Sequence, residues 1–279
     1  MARNELREVQ LPPGTIRYRE AGSGPPIVFV HGYLVDGRLW DGVVDALADR
    51  YRCIAPNWPM GAHAVAMEPD ADLSPPGIAT IIEGFLEALD LEDVTLVGND
   101  SGGAMCQVLV AGRPARVARL VLTNCDTHDN FPPGIFKVMP PVAKLPGGMQ
   151  VLAAPFRIPA VARAAFAPFS KTKPPAGLIE SWAEPAKRDK GVMRDVAKVT
   201  RGMDKRHTLA AAAGLRGSEF PLLLIWAPGD RYFPISYAER LGEEIGGARL
   251  VRISDSATFV PLDQPQQVAS AIADFAPSP

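Results

Sequence analysis

The sequence predicts an α/β chain built on a doubly wound, mostly parallel sheet with a helical insertion. Three observations predict it. Short β-rich runs alternate with helical stretches through the first half of the chain. These runs are apolar throughout, as suits strands covered on both faces. The alternation stops near residue 127 and resumes near residue 218, leaving a proline-rich block between two halves of one core.

The elements follow in order. Pro26-Ile27-Val28-Phe29-Val30 is an apolar strand ending at His31-Gly32. Leu39, Val43 and Leu47 share a stripe at helical spacing, which predicts a helix over 39–47. Arg52-Cys53-Ile54-Ala55-Pro56 is a second strand. Ile78, Ile81, Ile82, Phe85, Leu86 and Leu89 lie on one face of a helix over 77–89. Val94-Thr95-Leu96-Val97 is a third strand, followed by a helix over 104–111 and a fourth strand over 118–123. After the block, strands are expected at 221–226 and 248–253, with helices over 235–245 and 267–275.

The block itself holds Pro132-Pro133, Pro140-Pro141, Pro146 and Pro174-Pro175 and no clear strand. Phe131, Phe136, Met139, Met149, Leu152, Phe156, Phe166 and Phe169 give it apolar bulk. It reads as a cap of helices over 127–217, with residues 1–126 and 218–279 forming the core.

Composition narrows the function. The 279 residues carry a net charge of −2, with Lys and Arg scattered, so a polyanionic partner such as nucleic acid is not expected. The run Lys187-Arg188-Asp189-Lys190 reads as a solvated helix face. No apolar run approaches the length that spans a bilayer, and the charged start is not a secretory signal. The three cysteines, Cys53, Cys106 and Cys125, are odd in number and sit in apolar contexts, as buried thiols of a reducing cytoplasm would. A cytoplasmic protein is therefore expected. No His/Cys/Asp cluster has metal-ligand spacing, and no organic cofactor is implied.

The most informative segment is Leu96-Val97-Gly98-Asn99-Asp100-Ser101-Gly102-Gly103-Ala104. A strand precedes it and a helix follows. A side chain presented on so tight a strand-to-helix turn needs very small neighbours. The pattern puts Asp100 at the nucleophile position, with Gly98, Gly102 and Gly103 as the small residues. Centring it on Ser101 would give the first small position to Asn99, which is too large. A phosphate-binding loop would need a lysine where Ala104 stands.

With Val30-His31-Gly32-Tyr33, the segment from Ile225 to Pro234 and the segment from Phe259 to Pro265, this elbow resembles the α/β-hydrolase superfamily over residues 16–275. The chain is similar to the cap-bearing branch that holds haloalkane dehalogenases and epoxide hydrolases, which also use an elbow aspartate. The resemblance implies an α/β-hydrolase fold and assigns roles. The backbone N–H groups of Tyr33 and Ser101 would form the oxyanion hole. Asp230 would be the acid that orients a histidine, with Asp126 at the family's alternative acid position. His31 would be structural. The histidine itself is missing: Thr258 stands at its place, and a hydroxyl cannot act as a base near neutrality.

Without that base, a covalent ester on Asp100 has no group to activate the water that should hydrolyse it. The other histidines are His63, His128 and His207. His128 follows the fourth strand, on the sheet edge where sites form, and is the candidate for a relocated base. The family patterns do not single out one reaction. Ser101 stands where dehalogenases carry a halide-holding Trp, Leu34 stands where epoxide hydrolases carry Pro, and the block contains no tyrosine.

The expectation is therefore an atypical hydrolase of a small, largely apolar substrate. Two alternatives stay open. One is a lyase, isomerase or cyclase using Asp100 as acid or base; the other is a non-catalytic ligand-binding pseudo-hydrolase. A homodimer is kept open, and no membrane partner is expected.

Overall fold

The computed structural model describes residues 5–175 and 177–278. In chain order the elements are β1 (Leu6–Leu11), β2 (Gly14–Ala21), β3 (Pro26–Val30), α1 (Asp41–Leu47), β4 (Arg52–Pro56), α2 (Pro75–Ala88), β5 (Val94–Asp100), α3 (Ser101–Ala111) and β6 (Val117–Cys125). The insertion follows, with α4 (Met139–Ala143), α5 (Gly148–Ala153), α6 (Pro159–Phe166), α7 (Leu178–Arg188), α8 (Lys190–Gly202) and α9 (Lys205–Leu215). The chain then completes the core with β7 (Leu222–Trp226), α10 (Ile235–Glu244), β8 (Arg249–Arg252), α11 (Val260–Asp263) and α12 (Pro265–Ala273).

The strands form one eight-stranded sheet in the order β1-β2-β4-β3-β5-β6-β7-β8. Pairings from β4 across to β8 are parallel, and β2 alone runs against its neighbours. The central strands are buried on both faces, which is why they read as continuous apolar runs. Two core clusters result. On one face Ile78, Ile82, Phe85 and Leu86 of α2 and Met105 of α3 pack with Val28, Leu96 and Leu122. On the other, Val43 and Leu47 of α1 and Val268 and Ile272 of α12 pack with Ile27, Phe29, Val121 and Ile225.

Two features depart from the sequence reading. A β1–β2 hairpin precedes the first expected strand. Its burial alternates and its outer side chains pair across the strands, Arg17 with Glu8 and Arg7 with Glu20, so it shows no apolar run. At the far end of the expected cap, α9 packs on α3 as part of the core's helical layer, while α4 and α7 pack with α8. Thr208, Ala211, Ala212 and Leu215 are its buried residues, and Gly214 comes up against Ala111. Small residues on that face let two helices approach closely.

No helix among the described residues is long and apolar enough to cross a membrane.

Candidate active site

The elbow is a point of backbone strain at the end of a central strand. Asp100 is the last residue of β5 and holds φ 53° and ψ −133°, a region that non-glycine residues rarely adopt. The turn closes only because its flanks are bare. A Cβ on Gly98 would lie 2.7 Å from the Cα of Gly103, and one on Gly103 would lie 2.4 Å from the Cβ of Cys125. α3 begins at Ser101, three residues earlier than its apolar spacing suggested.

The Asp100 carboxylate sits beneath the β3 loop. The backbone N–H of Tyr33 donates to its Oδ2 at 3.2 Å. Gly32 gives it room, since a Cβ there would come within 2.2 Å of the same oxygen. Burial pushes the carboxyl up to about 7; the Tyr33 and Ser101 N–H groups pull it down, and the charge of Asp230 raises it further. Two of the residues expected at the oxyanion position, Tyr33 and Ser101, therefore flank Asp100. The Tyr33 phenol is tied to the hydroxyl of Thr200 on α8 at 2.6 Å.

The structure brings Asp230 and Thr258 together. Asp230 accepts four hydrogen bonds: from Thr258 Oγ1 at 2.8 Å and Asn124 Nδ2 at 2.9 Å on Oδ2, and from the N–H groups of Tyr232 at 2.7 Å and Phe233 at 3.2 Å on Oδ1. Its burial raises its pKa despite these donors. Thr258 is fully buried, and its backbone carbonyl accepts from Asn99 Nδ2 at 2.7 Å. The slot is thus firmly built and holds a side chain with no basic nitrogen.

His128 does not supply one, and the expectation of a relocated base there is corrected. The residue has φ 51°, and this turn directs the ring toward α10, where Nε2 meets Glu244 Oε2 at 3.0 Å. Nδ1 meets Thr127 Oγ1 at 3.1 Å. The other imidazoles are equally committed. His31 accepts the Trp58 N–H at 2.8 Å and is pushed down to about 4 by burial, His63 lies 3.3 Å from Asp195, and His207 accepts from Arg206 at 3.3 Å. None of them lines the space above Asp100.

That space is a chamber of about 280 Å³. Asp100, Ser101, Tyr33, Leu34 and Phe259 form its floor, and insertion residues including Phe136, Met139, Leu152, Phe156, Phe166 and Phe169 form its walls. The aromatic rings pack on one another and on the core. Phe169 stacks on Tyr232 at 4.7 Å and on Phe259 at 5.5 Å between centroids. A chamber of this kind suits a largely apolar ligand carrying one polar group for Asp100.

A second carboxyl lies directly behind the elbow. Ser101 Oγ donates to Asp126 Oδ2 at 3.0 Å, while Asp126 Oδ1 is buried without a partner. Burial and the charge of Asp100 push Asp126 well above the ordinary carboxylate range. Asn124 and Asn99 hold the Asp230–Thr258 pair, a role that the sequence alone does not show. Each sits inside or beside an apolar strand, and its role depends on which strand lies next to it.

Comparison with known proteins agrees with this architecture. The family model described as alpha/beta hydrolase fold matches residues 25–265. A protein of Mycobacterium tuberculosis called haloalkane dehalogenase 2 is 27% identical over 273 residues, covering 93% of this chain and 90% of that one. The solved structure of a haloalkane dehalogenase from Agrobacterium tumefaciens superposes with a TM-score of 0.80 at 19% identity, over 98% of this chain and 96% of that one. An epoxide hydrolase structure superposes with a TM-score of 0.78 at 16% identity, over 97% and 98% of the two chains. At these identities the two structures speak for the fold.

Proposed function

The chain belongs to the α/β-hydrolase fold family, and within it we propose an atypical hydrolase of a small, largely apolar substrate in which Asp100 is itself the acid–base group. The observation that carries this reading is the Asp100 carboxyl, brought to about 7 on the floor of an apolar chamber that no histidine lines. Both of its protonation states are populated near neutrality, which is the condition for efficient proton transfer in either direction. As the carboxylate, Asp100 takes a proton from the water that attacks the substrate's electrophilic carbon. As the acid, it returns that proton to the departing oxygen.

A second reading rests on a different observation. Tyr33 N–H holds one oxygen of the carboxylate, as an oxyanion donor holds the carbonyl oxygen of an ester. In that reading Asp100 displaces a halide or opens an epoxide and becomes an ester. The Thr258 hydroxyl, spent on Asp230, cannot deprotonate the water needed to release it. The protein would then stop after one turnover.

One experiment separates the two. Purified protein is incubated with esters, epoxides and haloalkanes over a range of pH, while product and intact protein mass are followed. The proposed reading expects multiple turnovers, no lasting mass adduct, a rise in rate as pH increases through about 7, and loss of turnover in Asp100→Asn. A stoichiometric adduct absent from Asp100→Asn would move the assignment to the covalent reading. Absence of both turnover and adduct at every pH would remove both and leave ligand binding.

A further inference from the structure

A larger space of about 820 Å³ lies beneath the insertion, beside the chamber above Asp100. The two adjoin along Tyr33, Leu34, Met139, Leu152, Phe156 and Phe166, which line both. Their linings differ in kind. The inner walls are apolar, whereas the outer chamber is lined by Lys144, Arg157, Lys187, Lys190, Arg194 and Arg201, with Asp189 the one acid among its lining residues. The chain as a whole has slightly more acids than cations, so this sign bias belongs to the site and not to the composition.

Three of these cations have local employment. Arg194 is held by Asp195 and by the carbonyl of Met67, Arg201 donates to the carbonyl of Ala143, and Lys187 pairs with Glu184. Lys144, Arg157 and Lys190 have no acid partner among the described residues. Asp189, whose Oδ1 caps α8 through the N–H groups of Gly191 and Val192, sets a single negative charge against these three cations. A concave wall of one sign over a low-dielectric lining focuses its field into the cavity. The run from Lys187 to Lys190 is exposed throughout, as a solvated face should be, and borders this chamber. Arg188 points outward with its side chain 80% exposed, while Lys187, Asp189 and Lys190 line the chamber.

We propose that the outer chamber binds the anionic head of an amphiphilic substrate, a carboxylate or phosphate, whose apolar end reaches the inner chamber and Asp100. This rests on the reading of the inner chamber as the reaction site and adds the substrate class. The inner chamber selects by apolar fit and the outer one by charge. A neutral molecule of the same tail would lack the second contribution.

Binding tests this without relying on turnover. Octyl phosphate, octanoate and octanol are titrated calorimetrically into the wild-type protein and into Asp100→Asn, at low and high salt. Both anions are expected to bind about tenfold or more tighter than octanol, with the advantage eroded by salt. The combined variant Lys144→Gln, Arg157→Gln, Lys190→Gln should lose the anion advantage and keep its affinity for octanol. All three side chains are exposed, so the fold should tolerate the changes. The ratio of the two anions identifies the head. Octanol binding as tightly as the anions, or a combined variant that keeps the anion preference, would overturn the proposal. Failure of the substrate panel with the anion preference intact would remove the catalytic reading of Asp100 and leave this site standing.

Discussion

Thr258 Oγ1 donates to Asp230 Oδ2 at 2.8 Å, in the slot where the resemblance expects a histidine held by that acid. Everything around the missing imidazole is in place. Asp230 is fixed by four donors, and Asn99 holds the carbonyl of Thr258. Thr258→His should therefore set an imidazole against an acid already positioned to orient it. Under the covalent reading the expected outcome is a gain in steady-state hydrolysis of haloalkanes or epoxides on the order of 10²-fold, the usual worth of a general base, whereas Asp100 acting as its own acid–base group predicts no gain. Rate measurements on the folded variant check it. A well-folded Thr258→His protein with no gain would mean that the absent imidazole does not limit hydrolysis.

Asp100 predicts an exchange of stability for function. Its carboxyl stands at about 7 in the folded protein against an ordinary value of 3.8, with burial as the main cause. The folded state thus binds the proton more tightly than the unfolded state, and stability falls as pH rises between those values. Below pH 3.8 the penalty is absent; above 7 it is complete. His31, pushed down to about 4, works in the opposite direction but is common to both proteins being compared. Asp100→Asn should abolish turnover and raise the melting temperature at pH 8. That gain should shrink toward zero by pH 4. A variant no more stable than wild type at pH 8 would contradict the raised pKa.

The legible parts of the molecule are those set by local pattern. The apolar runs from Pro26, Arg52, Val94 and Leu222 became central strands because a doubly covered strand needs no alternation. The elbow was legible because its glycines keep a fixed local spacing, although only Gly98 is crowded from within the segment, by Gly103; Gly102 meets the carbonyl of His31 and Gly103 meets Cys125. The first hairpin was not, because an edge strand with one solvated face carries charged residues that hide the strand signal. His128 shows the same limit at the site. Its place after β6 was readable, but the partner that turns its ring away is Glu244, which lies 116 residues later in sequence. Lys190 and Lys144 likewise meet one chamber only through the packing of α8 on α4.

Asn124 is the least conspicuous part of the site and should be costly to lose. Its Nδ2 donates to Asp230 and to the carbonyl of Ala227 at 3.3 Å, and its Oδ1 accepts the Ala227 N–H at 2.7 Å. Asn124→Leu keeps a branched side chain of somewhat larger volume but leaves a buried N–H and part of a carboxylate unsatisfied. Denaturant unfolding should show a loss of about 1–3 kcal/mol. Asn124→Asp should also destabilise near neutral pH, because it sets a second carboxyl against Asp230. Leucine tolerated without loss would mean that water takes over both groups.

Gly32 ties the loop after β3 to the chemistry of the elbow. The three atoms nearest to a Cβ placed there all belong to the Asp100 side chain: Oδ2 at 2.2 Å, Cβ at 2.6 Å and Cγ at 2.7 Å. Asp100 cannot step aside freely, because its backbone is already held at φ 53° by the turn into α3. Gly32→Ala should break the Tyr33 N–H contact, cost about 1–3 kcal/mol from overpacking and cut turnover sharply. Since that contact pulls the Asp100 pKa down, the residual rate should rise at a higher pH than in wild type. The same substitution in an Asp100→Gly background should cost much less, because the atoms it strikes are gone. Unfolding measurements on the four proteins of this cycle give the coupling directly. Equal costs in both backgrounds would show that Gly32 is constrained by its own backbone and not by Asp100.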